Sequence, residues 1–393
     1  MKTSMYFCIL YLFISTFSYS QINYLKAKLD TKSGLFGYVD TLNNQIIPPV
    51  YQLALEFSEN IAGVKQNNLW GFIDTTGRFL VKPQYNMITS FSEGLAAVNK
   101  NKKWQYINKL GEIVIKGKFK NASMFSEGLA VIKKGNKYGY IDKSGKVNIK
   151  FNYELADPFQ NSRAVVMVNG RYAYINKSGQ IIAKNFDFAS SFYEGIAIVG
   201  IKGLYGFIDT NGNIIVPIKY EAVSHFNEGL AKVYSNDFWG YVDKNGAEVI
   251  SLKYTDADNF KNGFAKVQKF GKYGFINKNG NIVIPYEYDH IIYGSPADDV
   301  IIVSKDGHYG MLSNKGSYII PCKYSFISSF SEELAIIKSN TGKYGYIDKT
   351  GKIIIDFMYD DANDFINGTA KVTKDNNIFF INKKGECISN CHN

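Results

Sequence analysis

Cysteine, proline and tryptophan are scarce in this chain. Its 393 residues include 4 cysteines, 8 prolines and 3 tryptophans, and no acidic tract or Ser/Gly-rich linker interrupts them. So few cysteines exclude a disulfide framework as the main source of stability, which must come from apolar packing. Beyond the N-terminal segment, no hydrophobic run reaches the roughly 20 apolar residues that a transmembrane helix needs.

One short motif recurs eleven times along the chain. An aromatic residue is followed by Gly in most copies, then by another aromatic, Ile or Val, Asp or Asn, two polar residues and Gly, as from Trp239 to Gly246. Successive copies start 33 to 36 residues apart, and most are 34 apart. A fixed period indicates a tandem array in which each unit contacts mainly its neighbours. The copies start at Phe36, Trp70, Trp104, Tyr138, Tyr172, Tyr205, Trp239, Tyr273, Tyr309, Tyr344 and Ile378.

The composition of each repeat favours strands. Short runs rich in Ile, Val, Tyr and Phe are bounded by Gly, Asn, Asp and Lys, which is typical of strands and tight turns. Helical repeats can share this period, but glycines, and in several repeats a proline such as Pro83 or Pro217, interrupt every stretch in which a helix could run. We therefore predict an all-β tandem array of about eleven 34-residue repeats, each a three-stranded β-meander. An open solenoid or superhelix is the favoured arrangement, and a closed propeller-like ring is the alternative.

Three features of the repeat predict specific roles. In the Asp-x-x-Gly element, such as Asp74 to Gly77, the carboxylate can accept bonds from turn amides while Gly supplies a positive φ. A second element, Phe-x-Glu-Gly-Leu-Ala, begins for example at Phe91, and another aromatic precedes it by six residues. We expect these rings to stack between repeats, because two or three strands alone are marginal in water. The Gly after the first aromatic, such as Gly240, predicts the close approach of a neighbouring backbone or ring.

The N-terminus has the pattern of an export signal. Lys2 precedes an apolar stretch from Met5 to Phe17, and small residues then lead to Gln21. We predict a signal peptide over residues 1–20 and a single continuous array over residues 21–393. The mature protein is then expected in the periplasm or outside the cell.

Three cysteines follow the predicted signal. Cys387 and Cys391 could close a short disulfide, or could bind a metal together with His392. The disulfide or a loose tail is favoured. Cys322 is expected to be a buried small apolar residue.

A net charge of +10 is typical of nucleic-acid-binding proteins, but the positions of the lysines suggest another role. Many of them lie in the turns, where they could form a basic stripe or keep hairpin tips solvated. Solvation is the favoured interpretation, so we expect no nucleic-acid partner. The turn lysines are Lys143, Lys177, Lys244, Lys278, Lys315, Lys349 and Lys383.

No residue pattern indicates a catalytic, cofactor or metal site. The four histidines lack metal-ligand spacing, and neither a nucleophile elbow nor a P-loop occurs. A recurrent glutamate could pair with an aspartate as in glycosidases, but its repetition favours a structural role. Exposed Tyr or Trp rows could stack on sugars or peptides, and Trp70, Trp104 and Trp239 should share one environment. The recurrent glutamates are Glu59, Glu93, Glu127, Glu194, Glu228 and Glu332.

The two elements resemble those of the WG-repeat family, which is named for its Trp-Gly pair. The resemblance extends from Phe36 to Gly385, with departures at Gln105, Ala173 and Asn161-Ser162. It implies a β-rich binding or scaffold module and carries no catalytic residues. We therefore expect an exported, non-enzymatic protein that binds protein or peptide partners without a cofactor. A binder of cell-envelope or extracellular glycan is the alternative, and a carboxylate-dependent hydrolase is a remote one.

Overall fold

The structure is a computed structural model that describes residues 25–294 and 298–391. The predicted signal peptide over residues 1–20 and its cleavage site lie outside the described residues, as does His392. All secondary-structure elements in the described ranges are β-strands, so the all-β prediction is confirmed. The chain divides into two compact units, unit 1 over residues 1–159 and unit 2 over residues 160–393.

The tandem β-meander is confirmed, and the structure adds one strand to it. Most sheets consist of four antiparallel strands in chain order, so that each strand pairs with the next. The three expected strands follow a first strand that is usually only two residues long, such as Ala222–Val223. A two-residue strand is too short to produce a recognisable hydrophobic run, so the sequence did not predict it. A single residue separates it from the last strand of the preceding sheet, and it therefore directs the chain from one repeat into the next.

Unit 1 contains one three-stranded sheet and three four-stranded sheets. Its described strands are Lys26–Leu29, Phe36–Val39 and Gln45–Tyr51; Leu53–Ala54, Ile61–Gln66, Leu69–Asp74 and Phe79–Tyr85; Met87–Ile88, Leu95–Lys100, Lys103–Asn108 and Ile113–Phe119; Asn121–Ser126, Leu129–Lys134, Lys137–Asp142 and Val147–Tyr153; and finally Leu155–Ala156.

Unit 2 begins with three paired strands and continues with six four-stranded sheets. Its described strands are Arg163–Val168, Arg171–Asn176 and Ile181–Phe186; Phe188–Ala189, Ile196–Ile201, Leu204–Asp209 and Ile214–Tyr220; Ala222–Val223, Leu230–Ser235, Phe238–Asp243 and Glu248–Tyr254; Asp256–Ala257, Phe264–Lys269, Lys272–Asn277 and Ile282–Tyr288; His290–Tyr293, Val300–Lys305, His308–Ser313 and Tyr318–Tyr324; Phe326–Ile327, Ala335–Lys338, Tyr344–Ile347 and Ile353–Tyr359; Asp361–Ala362, Thr369–Lys374, Asn377–Asn382 and Cys387–Ser389.

The hydrophobic core lies between consecutive sheets. In one representative cluster, Tyr241 and Ile250 of one sheet pack with Phe260, Val267 and Ile276 of the next. Each large apolar side chain that is covered in this way contributes about 1.5–3 kcal/mol. Because half of every core comes from a neighbour, a single repeat cannot bury its own rings.

The glycine of the aromatic-Gly-aromatic motif lies opposite a bulge. Trp239 pairs with Tyr254 and Tyr241 pairs with Ile250, so Gly240 alone faces three residues of the last strand. A Cβ atom on Gly240 would lie 2.6 Å from the Ile250 carbonyl oxygen. The predicted close approach is confirmed, and the approaching group is the backbone of the paired strand in the same sheet.

Two repeats without this glycine differ in the strand that lies opposite. Gln105 faces the middle of its bulge, where the partner strand carries Gly117. At Ala173 the last strand is one residue shorter, and Ala173 pairs directly with Lys184. In the Ala173 sheet, the shorter partner strand therefore accompanies the loss of the glycine.

Candidate interaction surface

The second aromatic of the motif packs against the Phe of the next Phe-x-Glu-Gly element. The ring centroids are 4.9 Å apart for Tyr140 and Phe159, and 4.8 Å apart for Tyr241 and Phe260. The predicted stacking between repeats is thus confirmed. These four rings are buried, so they are not available to a ligand. Equivalent pairs within the units are Tyr38–Phe57, Phe72–Phe91, Tyr106–Phe125, Tyr174–Phe192, Phe207–Phe226 and Tyr346–Phe365.

Where the buried ring is a tyrosine, its hydroxyl group makes a second contact with the next repeat. Tyr140 donates to the Asp157 carbonyl oxygen over 2.8 Å, and Tyr241 donates to the Asp258 carbonyl oxygen over 2.6 Å. Burial raises the pKa of both hydroxyl groups above the ordinary value, so they remain protonated donors. A buried hydroxyl needs such a partner, whereas Phe72 at the equivalent position needs none.

A serine bridge also joins consecutive repeats. The Ser in Phe-Ser-Glu-Gly donates its hydroxyl to the carbonyl oxygen of the next repeat's Phe, as from Ser92 to Phe125 over 2.7 Å. Such a hydrogen bond contributes about 1 kcal/mol. The other serine bridges are Ser58 to Phe91, Ser126 to Phe159 and Ser331 to Phe365.

The recurrent glutamate forms a clamp to the next repeat, which we call the glutamate clamp. Glu93 accepts a bond from the Gly128 amide at 3.0 Å and pairs with the Lys143 ammonium group at 2.9 Å. Gly128 lies in the next Phe-x-Glu-Gly turn, and Lys143 lies in the Asp-x-x-Gly turn of that same sheet. Equivalent ion pairs are Glu59–Lys109, Glu194–Lys244, Glu228–Lys278 and Glu332–Lys383.

The clamp explains why glutamate occupies a turn position that favours Gly or Asn. Glu93 has a φ of 54°, in the left-handed region that costs a side chain about 1–2 kcal/mol. Burial opposes ionisation of Glu93, but the bonds from Lys143 and the Gly128 amide outweigh it and lower the pKa. The contact with the next repeat thus offsets the local backbone cost.

Turn lysines therefore do more than keep hairpin tips solvated, which corrects the favoured interpretation of their charge. At least five of the seven form ion pairs with carboxylates, and in four of these five the partner belongs to the glutamate clamp. The recurrent glutamates that could have resembled glycosidase carboxylates are in turn occupied by contacts between repeats. Both sets of charges were visible in the sequence, but their pairing was not.

The Asp-x-x-Gly turns have the predicted geometry. The Asp74 carboxylate accepts bonds from the Thr76 amide at 2.9 Å and the Arg78 amide at 3.1 Å, and Gly77 has a φ of 87°. The bonds from Thr76 dominate the lowering of the Asp74 pKa. These aspartates are therefore occupied by their own turns.

One apolar position remains exposed in most repeats. It is the second residue after the Gly of the Asp-x-x-Gly turn, where the last strand begins, and it is usually β-branched. Ile214 and Ile282 are each 58% exposed there, whereas Glu248 is the polar occupant of the intervening repeat. We call this position the exposed apolar row. Its other members are Ile113 and Val147 in unit 1, and Ile181, Tyr318 and Ile353 in unit 2.

A cleft interrupts the serine bridges in unit 2. Gln160, Tyr193 and Asn227 stand where other repeats have the bridging Ser, and they line an open cleft of about 400 Å3. Tyr193 is 54% exposed, and its ring lies 6.0 Å from that of His225 in an edge-to-face arrangement. No sequence signal marks this cleft except the replacement of Ser by larger residues.

The three tryptophans share a register but differ in exposure. Trp104 is buried, whereas Trp70 and Trp239 are partly buried. Lys232 places its ammonium group 4.4 Å from the Trp239 ring centroid. An exposed tryptophan row is therefore absent from the described part of the chain.

Cys387 and Cys391 form a disulfide, as the favoured interpretation predicted. Cys322 is a free, partly buried thiol, and burial raises its pKa. Among the described residues, no group of three or more His, Cys, Asp or Glu side chains could hold a metal ion. No helix in the described ranges is long and apolar enough to cross a membrane.

Comparison with known proteins identifies the repeat. The family described as "WG containing repeat" matches ten consecutive segments, residues 36–70, 70–104, 106–138, 138–172, 172–205, 205–237, 239–273, 273–309, 309–344 and 344–377. No curated protein matches the chain significantly.

Three solved structures show distant likenesses. The computationally designed Ika8 protein is 14% identical with a TM-score of 0.32, covering 66% of this chain and 95% of that one. A eukaryotic initiation factor is 13% identical with a TM-score of 0.33, covering 86% of this chain and 96% of that one. PorZ of Porphyromonas gingivalis, a surface component of the type-IX secretion system, is 10% identical with a TM-score of 0.29, covering 89% of this chain and 63% of that one. Scores this low support no conclusion about the present chain.

Proposed function

The chain belongs to the family of WG containing repeats, and from that premise we propose that it is an exported, non-enzymatic scaffold that binds protein or peptide partners. The exposed apolar row carries this proposal. Consecutive repeats are held together by shared residues of the motif: the stacked rings, the serine bridges and the glutamate clamps. The apolar row takes no part in those contacts, yet it recurs in most repeats.

Exposed apolar side chains at equivalent positions of successive repeats favour a protein partner. Single exposed apolar residues are ordinary on protein surfaces, but a recurring set indicates an interaction surface. Repeat arrays bind along such extended faces, because each unit contributes one or two contacts. The described carboxylates of the repeat motif are engaged in turns and clamps, which supports a role in binding and not in catalysis.

Photo-crosslinking tests this proposal. A photoreactive amino acid at position 181, in the neighbouring repeat of the same row, should capture a protein from cell-envelope extracts, and the substitutions Ile214→Glu and Ile282→Glu should together abolish capture. Glu248→Gln is the matched control, because Glu248 occupies the same register in the intervening repeat and is already polar. Capture that survives the double substitution would exclude this surface.

Export rests on residues 1–20 and is tested separately. The protein should be recovered from the periplasm or medium, and N-terminal sequencing should begin at Gln21. Recovery from the cytoplasm with Met1 intact would refute it.

The alternative function, binding of a cell-envelope or extracellular glycan, is favoured by one observation, the cleft that contains Tyr193 and His225. Retention on purified polysaccharide, with competition by free sugar, would support it over the scaffold. A hydrolase activity abolished by one carboxylate substitution would instead support the remote enzymatic alternative.

A further inference from the structure

The cleft around Tyr193 lies where the bridging serine is replaced in consecutive repeats. In unit 1 the bridging Ser side chain is short, and its hydroxyl binds the next repeat's backbone. Tyr193 has no hydroxyl near its Cβ, and its ring extends into solvent instead. Asn227 turns its amide back to the His225 carbonyl oxygen, 3.3 Å away. The space left between the turns is the cleft of about 400 Å3, within the range of about 300–1,000 Å3 that suits small ligands.

The cleft is lined by exposed rings and by side-chain amide and hydroxyl groups. Tyr193 and His225 supply the rings, and Gln160, Ser191 and Asn227 supply amide and hydroxyl groups. The lining contains no Asp, Glu, Lys or Arg side chain. The adjacent carboxylate, Glu194, is already paired with Lys244 at 2.9 Å. The lining therefore offers a ligand no carboxylate, ammonium or guanidinium group.

We propose that this cleft is a binding site for a neutral saccharide, with the Tyr193 ring as the stacking surface. The apolar C–H face of a sugar packs on an aromatic ring, and its hydroxyl groups both donate and accept, as side-chain amides do. A tyrosine side chain has only two rotatable side-chain angles, so ordering its ring against a ligand costs little entropy. This inference rests on the glycan-binding alternative proposed above and specifies its site and ligand class. The cleft shares no residue with the exposed apolar row, so the two surfaces can be tested separately.

The test measures binding of maltotriose, cellotriose and triacetylchitotriose to the purified protein by calorimetry and saturation-transfer NMR. At least one sugar should bind. Tyr193→Ala should weaken that binding by about tenfold or more, because the stacking surface is lost. Tyr193→Phe should retain most of the affinity. Phe270→Ala is the matched control, since Phe270 is an 85% exposed aromatic on a hairpin tip outside the cleft.

A second variant separates binding from stability. Tyr193→Ser restores the residue found in the bridged repeats, so it should abolish sugar binding while leaving the unfolding midpoint unchanged or higher. The proposal is overturned if no sugar in the panel binds, if binding persists in Tyr193→Ala, or if short peptides bind the cleft in place of sugars. It is also overturned if lowering the unfolding midpoint is the only effect of Tyr193→Ala and of Tyr193→Ser.

Discussion

Adding a single methyl group at Gly240 should destabilise the protein. The new Cβ would lie 2.6 Å from the Ile250 oxygen, 2.8 Å from the Leu252 nitrogen and 2.9 Å from the Ser251 carbonyl carbon. Carbon contacts are optimal at about 3.5–4.0 Å, so the strands must separate by close to 1 Å. All three atoms belong to the backbone, and no side-chain rotation can relieve the contact.

The expected cost follows from two opposing effects. Overpacking of this kind costs about 1–3 kcal/mol, while replacing Gly by Ala recovers about 0.5–1 kcal/mol through the unfolded chain. Gly240→Ala should therefore lower the free energy of unfolding by about 1–2 kcal/mol. Gly240→Leu should be more severe, and it should unfold neighbouring repeats together because their cores are shared.

Urea unfolding, followed by circular dichroism and by tryptophan fluorescence, measures the effect. Ala173→Gly is the control, because Ala173 lies at the equivalent position of a sheet without this crowding, and it should cost only about 0.5–1 kcal/mol. Deleting Ser251 in the Gly240→Ala background copies the shorter strand opposite Ala173, so it should restore stability. A Gly240→Ala variant with wild-type stability, or a deletion that fails to rescue, would refute the bulge explanation.

Three further predictions concern contacts between repeats. Ser92→Ala removes a serine bridge and should cost about 1 kcal/mol in urea unfolding, and an unchanged midpoint would contradict that bridge. Because the pKa of Glu93 is lowered, its clamp should stabilise the protein above the ordinary value of 4.5 and lose effect as pH falls through the folded-state pKa. The stability of Glu93→Gln should therefore fall less than that of the wild type as the pH is lowered. Equal stability-against-pH profiles for the two proteins would exclude the clamp. Because burial raises the pKa of Tyr140, its contribution should be complete below the ordinary value of 10.0 and decline as pH rises above it. Tyr140→Phe should reduce this alkaline loss, and early ionisation of Tyr140 in an ultraviolet titration of the wild type would contradict its burial.

Much of the architecture could be predicted from the sequence, because its causes are local. The Asp74 turn depends on residues within four positions of one another, and strand composition and turn glycines recur in every period. The need of Gly240 for space was also apparent, because glycine weakens a strand unless something requires the room. The fold class, the repeat length and the stacking of rings could therefore be predicted without knowing which residue each side chain contacts.

The tertiary structure decided which repeated residues meet. The two-residue first strand is defined by backbone pairing and has no signature of composition. Glu93 meets Gly128 and Lys143, which are 35 and 50 residues away, because consecutive sheets pack with one particular offset. The same offset turns the loss of a serine at Tyr193 into a cleft. A periodic sequence specifies the unit and its turns, whereas the contacts between units depend on the relative position of packed sheets, which no local pattern encodes.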